Sequence, residues 1–264
     1  MKVCNLGSGS RGNCTYLEIE NHKILIDAGL TFKDISLRLE FISVRAEDIT
    51  EIIVSHEHID HIRAINNFAS KFKTKVYAFS GLWETLLSKC PKIDVSQRVA
   101  FDDCDFMIGK LKVTPIRVSH DSLSCHGFAF EEKTKKFSIL TDLGQTNDRI
   151  LSCIRNSQLI YLEANHDEKM LMANPNYPEC LKKRILSSRG HLSNTDCAEA
   201  IAKCITCETK QIVLSHLSEK NNSDDLAFET VCKVLSDYGI IEGKHIRIDI
   251  AHQAHAGIVN GTAG

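Results

Sequence analysis

The segment 54–61, VSHEHIDH, restricts the fold of this 264-residue chain more than any other. The β-branched apolar residues 52–54 lead into it, which predicts a short buried strand that ends in a polar cluster. Side chains two apart on an extended segment point the same way, so His56 and His58 are predicted to bind one metal ion. Asp60 and His61 fall where a helix over residues 62–72 is predicted to begin, and they are better placed for a second ion. Imidazole and carboxylate ligands suit zinc, manganese or iron.

Two other interpretations of this segment explain it less well. A loop that is rich in histidine by chance does not account for ligand-type residues that follow a buried strand in register. The zinc-protease motif His-Glu-x-x-His does not fit, because Asp60 occupies the position of its second histidine. The residues therefore favour a metal site of another type.

The composition is that of an ordinary globular protein, with 43% hydrophobic and 25% charged residues. The net charge of −2 predicts no chain-wide basic surface, although a local groove is still compatible with a nucleic-acid substrate. The sequence contains no signal-peptide core and no run long enough for a membrane span. Its 11 scattered cysteines predict reduced thiols, and the pair Cys204 and Cys207 lacks a second pair for a zinc site. We therefore expect a cytoplasmic protein with no membrane partner.

A predicted strand followed by a histidine or an aspartate recurs along the chain. Such strands end at His56 and His58, at His120, at Asp142 and at His216. Because ligands gather at the carboxyl ends of strands in α/β proteins, we expect these side chains to converge. Taken singly, a histidine at a strand end is more often a capping or core residue than a ligand. Strands and helices also interleave twice, which favours an α/β fold made of two halves.

The order His-x-His-x-Asp-His, then His, Asp and His, resembles the ligand set of the metallo-β-lactamase fold superfamily. The resemblance implies an αββα four-layer sandwich that binds two divalent metal ions, Zn²⁺ or Mn²⁺. The ligands it implies are His56, His58 and His120 for the first ion, Asp60, His61 and His216 for the second, and Asp142 as a bridge between both. An aspartate at 142 resembles the nucleases and glyoxalases of the superfamily rather than the lactamases with a cysteine there. Asp27 matches a supporting residue beneath the site.

Two later segments, 162–166 (LEANH) and 190–193 (GHLS), resemble motifs of RNase Z-like enzymes. The resemblance implies that His191 contacts the scissile phosphate and protonates the leaving oxygen, and that Glu163 orients His191. Asp60 is the third residue with an implied catalytic role. His191 lies just before a predicted helix with a capping box, which suits an anion, although a plain helix-entry role is the alternative. His166 is either a further phosphate contact or a structural partner of Asp142.

Over nearly its whole length the chain is similar to the YycJ/VicX (WalJ) family. The matching segments are 7–13 (GSGSRGN), 119–121 (SHD), 163–167 (EANHD), 190–194 (GHLSN) and 216–222 (HLSEKNN). The similarity implies a dinuclear metal-dependent phosphodiesterase, a 5′-to-3′ exonuclease that acts on the ends of double-stranded DNA. The short interval between Asp142 and His216 leaves no room for a β-CASP insertion, so residues 1–264 are predicted to form a single domain. Where the family usually has proline, Cys125 and His126 stand here, and His126 is expected near the site.

Several functional questions stay open at this level. The segment 7–13 is either a phosphate cradle or a simple turn. Lys182, Lys183, Arg184 and Arg189 either contact a DNA backbone or form a solvated helix face, which the composition favours slightly. The alternatives to a DNA exonuclease are a thioester or cyclic-nucleotide hydrolase, an RNase Z-like ribonuclease, and an assembly factor with a structural metal. The residues do not indicate an oligomeric state.

Overall fold

Two β-sheets form the framework of the chain, and the computed structural model describes residues 1–253. The first sheet has the strand order β1-β2-β3-β4-β5-β6, with β1 Lys2–Gly7, β2 Cys14–Ile19, β3 His22–Ile26, β4 Glu51–Ile53, β5 Lys75–Phe79 and β6 Arg98–Phe101. The second has the order β13-β12-β11-β10-β9-β8-β7, with β7 Phe106–Ile108, β8 Leu111–Val118, β9 Cys125–Glu132, β10 Lys135–Leu140, β11 Leu159–Glu163, β12 Gln211–Ser215 and β13 Arg247–Ile250.

The helices pack on the outer faces of the two sheets or lie in the connections that follow their strands. They are α1 Phe32–Phe41, α2 Ile59–Ile62, α3 Ile65–Phe72, α4 Trp83–Lys89, α5 Asp148–Ile154, α6 Glu168–Ala173, α7 Glu179–Ile185, α8 Asn194–Cys204 and α9 Asp224–Asp237. No helix in residues 1–253 is long and apolar enough to cross a membrane. The eleven cysteines all lie within residues 1–253, and no disulfide joins any of them there.

Alternation along the strands divides the apolar side chains between three cores. Ile53 of β4 belongs to the core between the sheets, together with Phe128 of β9 and Tyr161 of β11. Its neighbour Ile52 points the other way, into the core beneath α1, α3 and α4. A third core, which includes Leu162, lies between the second sheet and α5, α8 and α9. The order of layers is therefore helix, sheet, sheet, helix, which confirms the predicted αββα sandwich.

Parallel strands in each sheet bring their carboxyl ends together. β3 to β6 pair in parallel in the first sheet, and β10 to β13 pair in parallel in the second. Asp27 directly follows β3, and Asp142 lies just beyond the end of β10. Glu163 ends β11, and His216 follows β12. The polar residues predicted at strand ends are thus concentrated at one edge of each sheet.

Some elements differ from those predicted. The helix expected over residues 62–72 is two helices, α2 and α3, because the N–H of Ala64 donates to the carbonyl of Ala28 (2.8 Å) instead of extending α2. The short strands β6 and β7 and the short helices α5 and α6 were not predicted. The interval between β10 and β12 consists of α5, β11 and α6 to α8. A single domain over 1–264 stays a prediction, and its last eleven residues lie outside the described part.

Candidate metal centre

The seven predicted ligands lie together between the two sheet edges. They form three overlapping groups, in each of which one donor atom per residue lies within 4.8 Å of the others: His56, His58 and His120; Asp60, His61 and His216; and His56, His61 and Asp142. A fourth group joins Asp142 and His216 to Glu163 and His191. Asp142 belongs to two of these groups, which is the position that a bridging carboxylate needs.

Asp27 holds one of these histidines from beneath. Nδ1 of His61 donates to Oδ2 of Asp27 (2.7 Å), while the N–H and hydroxyl of Ser55 donate to the same carboxylate (2.8 and 2.7 Å). The Ser55 hydroxyl in turn accepts from Nδ1 of His56 (3.0 Å). Because Nδ1 of each ring is held by a hydrogen bond, Nε2 of each ring faces the cluster. Histidines that bind metal ions usually have such a hydrogen bond on their other nitrogen.

Glu163 is a fully buried hub that connects two further histidines. Its Oε1 accepts from Nδ1 of His191 and from Nδ1 of His216, both at 2.7 Å, and its Oε2 accepts from the N–H of Leu143 (2.9 Å). These bonds occupy both oxygens, so Glu163 orients histidines rather than offering a free oxygen to an ion. The sequence indicated the contact with His191 but not the one with His216.

Electrostatics keep the buried acids ionised. Burial alone would raise the pKa of Asp142, but His216 and His61 hold it well below its usual value. Burial would also raise the pKa of Glu163, yet His191 and His216 lower it to about 2. Burial alone would lower the pKa of His216, but Asp142 and Glu163 raise it to about 9. Two buried anions therefore persist among the imidazoles, as a cation site requires.

Buried donor atoms without partners test whether divalent ions fit this cluster. Nε2 of His56, Nε2 of His216 and Oδ2 of Asp142 are buried and make no hydrogen bond with any described residue. Unsatisfied buried polar atoms are costly, and here all three belong to residues of the overlapping donor groups. Imidazole nitrogens with carboxylate oxygens are the ligands of Zn²⁺ and Mn²⁺. The residues present fit such ions.

Three residues of this region have left-handed backbone conformations that the sequence did not indicate. They are Asp27 (φ 61°), Asp142 (φ 59°) and His216 (φ 57°), each directly after a strand or close to its end. Such conformations are uncommon outside glycine, although aspartate and histidine adopt them more often than most residues. Clusters of strained backbone are found at functional sites, where the strain helps to aim side chains.

The segment 7–13 packs beneath the cluster and supports it. The side-chain nitrogen Nδ2 of Asn13 lies 3.0 Å from Nε2 of His61, and the backbone N–H of Asn13 donates to the carbonyl of Asp60 (2.8 Å). The hydroxyl of Ser8 accepts from the N–H of His216 (2.8 Å). The N–H of Gly9 donates to the Asn13 side chain (2.8 Å), so it is not free for a phosphate. The contacts favour a turn that positions ligands.

Gly29 is required for steric reasons at the same place. A Cβ there would overlap the backbone carbonyl of Asp60, which cannot move without moving His61. We expect Gly29→Ala to lower the free energy of unfolding by roughly 1–3 kcal/mol and to reduce metal binding. Chemical denaturation and the metal content of the purified protein measure both. Gly81→Ala is the matched control, since its Cβ would meet only the Phe79 ring, at 3.0 Å; equal effects in both variants would contradict this explanation.

Three predicted residues do not lie where the sequence suggested. His126 points away from the cluster, where Nε2 bonds with Asp103 (2.9 Å) and the ring packs on Phe79. His166 is buried, and neither of its nitrogens has a hydrogen-bond partner among the described residues, so it is neither an accessible phosphate contact nor bonded to Asp142. Lys182 is buried and donates to the carbonyl of Met172 (2.7 Å), which excludes it from a solvated helix face.

Comparisons with known proteins agree with this geometry. A family model described as "Beta-lactamase superfamily domain" matches residues 22–217. The chain is 36% identical to "Exodeoxyribonuclease YycJ" of Bacillus anthracis over 92% of each protein, and 38% identical to "Exodeoxyribonuclease WalJ" of Streptococcus pneumoniae serotype 2 over 90% of each. The crystal structure of the metallo-beta-lactamase fold protein YhfI from Bacillus subtilis superposes with a TM-score of 0.72 at 17% identity, over 97% of this chain and 98% of that one. This last likeness concerns the fold alone.

Proposed function

Because this chain belongs to the beta-lactamase superfamily, in the family of the exodeoxyribonucleases YycJ and WalJ, we propose that it is a metal-dependent phosphodiesterase that removes nucleotides from the 5′ ends of double-stranded DNA. The observation that carries the reaction type is the Glu163–His191 pair beside the metal-type cluster. The relatives' names, matched over almost the full length of both chains, supply the substrate class.

The proposed ligands divide into two sets that share Asp142. His56, His58 and His120 would hold one ion, Asp60, His61 and His216 the other. Bound divalent ions supply Lewis-acid chemistry, which activates water for attack on phosphorus and offsets charge on the phosphoryl oxygens. Zn²⁺ and Mn²⁺ both suit these ligands, and we propose that the site takes two ions of either kind. Asp60 thus acts in catalysis as a ligand.

His191 is the proposed proton donor. Its ring lies between those of His120 (5.2 Å between centroids) and His216 (5.3 Å), and it is partly exposed, so a substrate can reach it. Nδ1 is bound to Glu163, which leaves Nε2 to hold the proton that the departing 3′ oxygen needs. The Glu163 carboxylate fixes the orientation of the ring.

Labelled duplex DNA tests the proposal directly. Purified protein would be incubated with 5′-labelled or 3′-labelled duplexes and with Mn²⁺, Zn²⁺ or EDTA, alongside single-stranded DNA, RNA, thioesters and cyclic nucleotides. We expect metal-dependent release of nucleotides from the 5′ end of the duplex. Cleavage of RNA, thioesters or cyclic nucleotides with no action on DNA would replace this function with one of the alternatives.

Metal binding is also expected to stabilise the fold. Ions that bind the folded state alone raise the free energy of unfolding by about 2.7 kcal/mol at a hundredfold excess over the dissociation constant. Protein stripped with a chelator should therefore melt at a lower temperature, and added Zn²⁺ or Mn²⁺ should restore the melting temperature together with hydrolysis. Mg²⁺, which prefers oxygen ligands, is the control cation. An unchanged melting temperature with all three ions would contradict the proposed centre.

A further inference from the structure

A cavity of about 250 Å³ opens beside His191. One side of it is formed by His120, His191 and His216. The other side is formed by α7 and the residues around it, and we call the space the α7 pocket. It therefore opens directly onto the proposed metal centre.

The wall from α7 combines apolar and cationic groups. Leu181, Arg184 and Ile185 share one face of the helix by their spacing, and Tyr177, just before it, adds an aromatic ring to the same wall. Lys182 anchors α7 through the carbonyl of Met172. A ring beside aliphatic side chains suits the base and sugar of a nucleotide.

The mouth of the pocket has an excess of positive charge. Arg184 pairs with Asp121 (2.6 Å). Arg189 also lines the pocket, where its Nε donates to the carbonyl of His120 (3.3 Å), and it forms no salt bridge within residues 1–253. Two guanidinium groups therefore face one carboxylate, although the whole chain carries a net charge of −2. An anionic ligand is favoured at this point.

We propose that the α7 pocket binds the 5′-terminal nucleotide of the DNA end, with Arg189 at its 5′-terminal phosphate and Tyr177 against its base. The inference rests on the proposed function. Since His191 donates its proton to the 3′ oxygen of the departing nucleotide, that nucleotide lies on the His191 side of the scissile bond, where the pocket opens. The volume of about 250 Å³ lies just below the roughly 300–1,000 Å³ of small-molecule sites, so the pocket has room for one nucleotide at most.

The chemistry of the reaction regenerates the same ligand. Water adds to phosphorus and releases a proton to the solvent, the bond from phosphorus to the 3′ oxygen breaks, and the 3′ oxygen takes the proton of His191, which is then replaced from the solvent. The departing nucleotide carries a 3′ hydroxyl, and the shortened strand carries a new 5′ phosphate. Each turnover therefore presents Arg189 with another phosphorylated end, and mononucleotides are the expected products.

Two duplexes of one sequence, with a 5′ phosphate or a 5′ hydroxyl, test the proposal. We expect kcat/KM for the first cut to be at least about tenfold higher with the phosphate, the contribution of a hydrogen bond to a charged group. On the hydroxyl substrate, a slow first release should be followed by faster ones. Arg189→Ala should bring the ratio of the two kcat/KM values close to one, and Arg189→Lys should restore part of it.

Two further variants complete the experiment. Lys183→Ala removes a positive charge from the exposed side of the same helix, outside the pocket, and should keep the wild-type ratio. Tyr177→Ala should raise KM about tenfold, whereas Tyr177→Phe should not. A wild-type ratio near one, or an Arg189→Ala ratio equal to that of the wild type, would overturn the pocket assignment while leaving the exonuclease intact. Failure to cut any DNA would instead overturn the proposed function.

Discussion

Asp142→Asn is expected to lower phosphodiester hydrolysis by about a thousandfold and to reduce the number of bound metal ions per chain. Asp142 is the one carboxylate among the described residues that belongs to two of the four donor groups, and its Oδ2 is buried without a hydrogen-bond partner among those residues. Removing its charge leaves two clusters of imidazoles with no anion between them. Turnover of duplex DNA and the metal content of the purified variant measure the two effects.

Asparagine is the informative replacement because of the backbone. Asp142 has a left-handed conformation (φ 59°), which asparagine tolerates and alanine tolerates poorly. The variant therefore changes the charge and keeps the local conformation. Asp103→Asn is the matched control, since that carboxylate bonds with His126 and Arg117 away from the cluster. Full metal content in Asp142→Asn, or an equal loss in the control, would rule out the bridging role.

The metal-ligand residues could be predicted from the sequence because each is a histidine or an aspartate that follows a recognisable strand. Apolar strands are evident in sequence, and the ligand-type residues His120, Asp142 and His216 come directly after them or nearly so. Because parallel strands align their ends, placing each residue after a strand was enough to predict that they converge. The structure brings these residues to the same edge, although no contact between them can be read from any single segment.

The contacts behind the ligands could not be predicted, since each depends on segments far apart in the chain. That Glu163 holds His216 as well as His191 requires the adjacent ends of β11 and β12 and the loop before α8. The overlap that forbids a side chain at Gly29 requires α2 to lie against the turn after β3. Neither arrangement has a local sequence signal.

The prediction that His126 lies near the metal site was wrong, and the alternation of side chains along its strand could have corrected it. Neighbouring residues on a strand face opposite ways, and in β9 it is Cys125 that faces the cluster, with its Sγ 3.6 Å from Nδ1 of His56. His126 must therefore face away, among aromatic side chains. By contrast, the burial of Lys182 results from a partner on α6, a helix too short to be recognised from periodicity.

His191→Ala is expected to lower kcat by about 10²–10⁴, the range of general acid catalysis, without loss of metal. The reason is that Nδ1 of His191 is bound to Glu163, and in the proposed reaction Nε2 supplies the proton. A substrate with a good leaving group, such as the p-nitrophenyl ester of thymidine 5′-phosphate, needs no such proton. Hydrolysis of this ester should therefore be affected far less than hydrolysis of DNA.

Glu163→Gln tests the contacts that Glu163 makes with His191 and with His216. It weakens the bonds to both His191 and His216, so we expect both a lower kcat and weaker metal binding. At saturating metal, kcat of the double variant Glu163→Gln, His191→Ala should be scarcely lower than that of His191→Ala, because the remaining effect of Glu163 on kcat acts through the same proton donor. Loss of metal from His191→Ala alone would contradict this assignment. His191 would then be a ligand of the fourth donor group, with Asp142, Glu163 and His216, and another group would have to protonate the leaving oxygen.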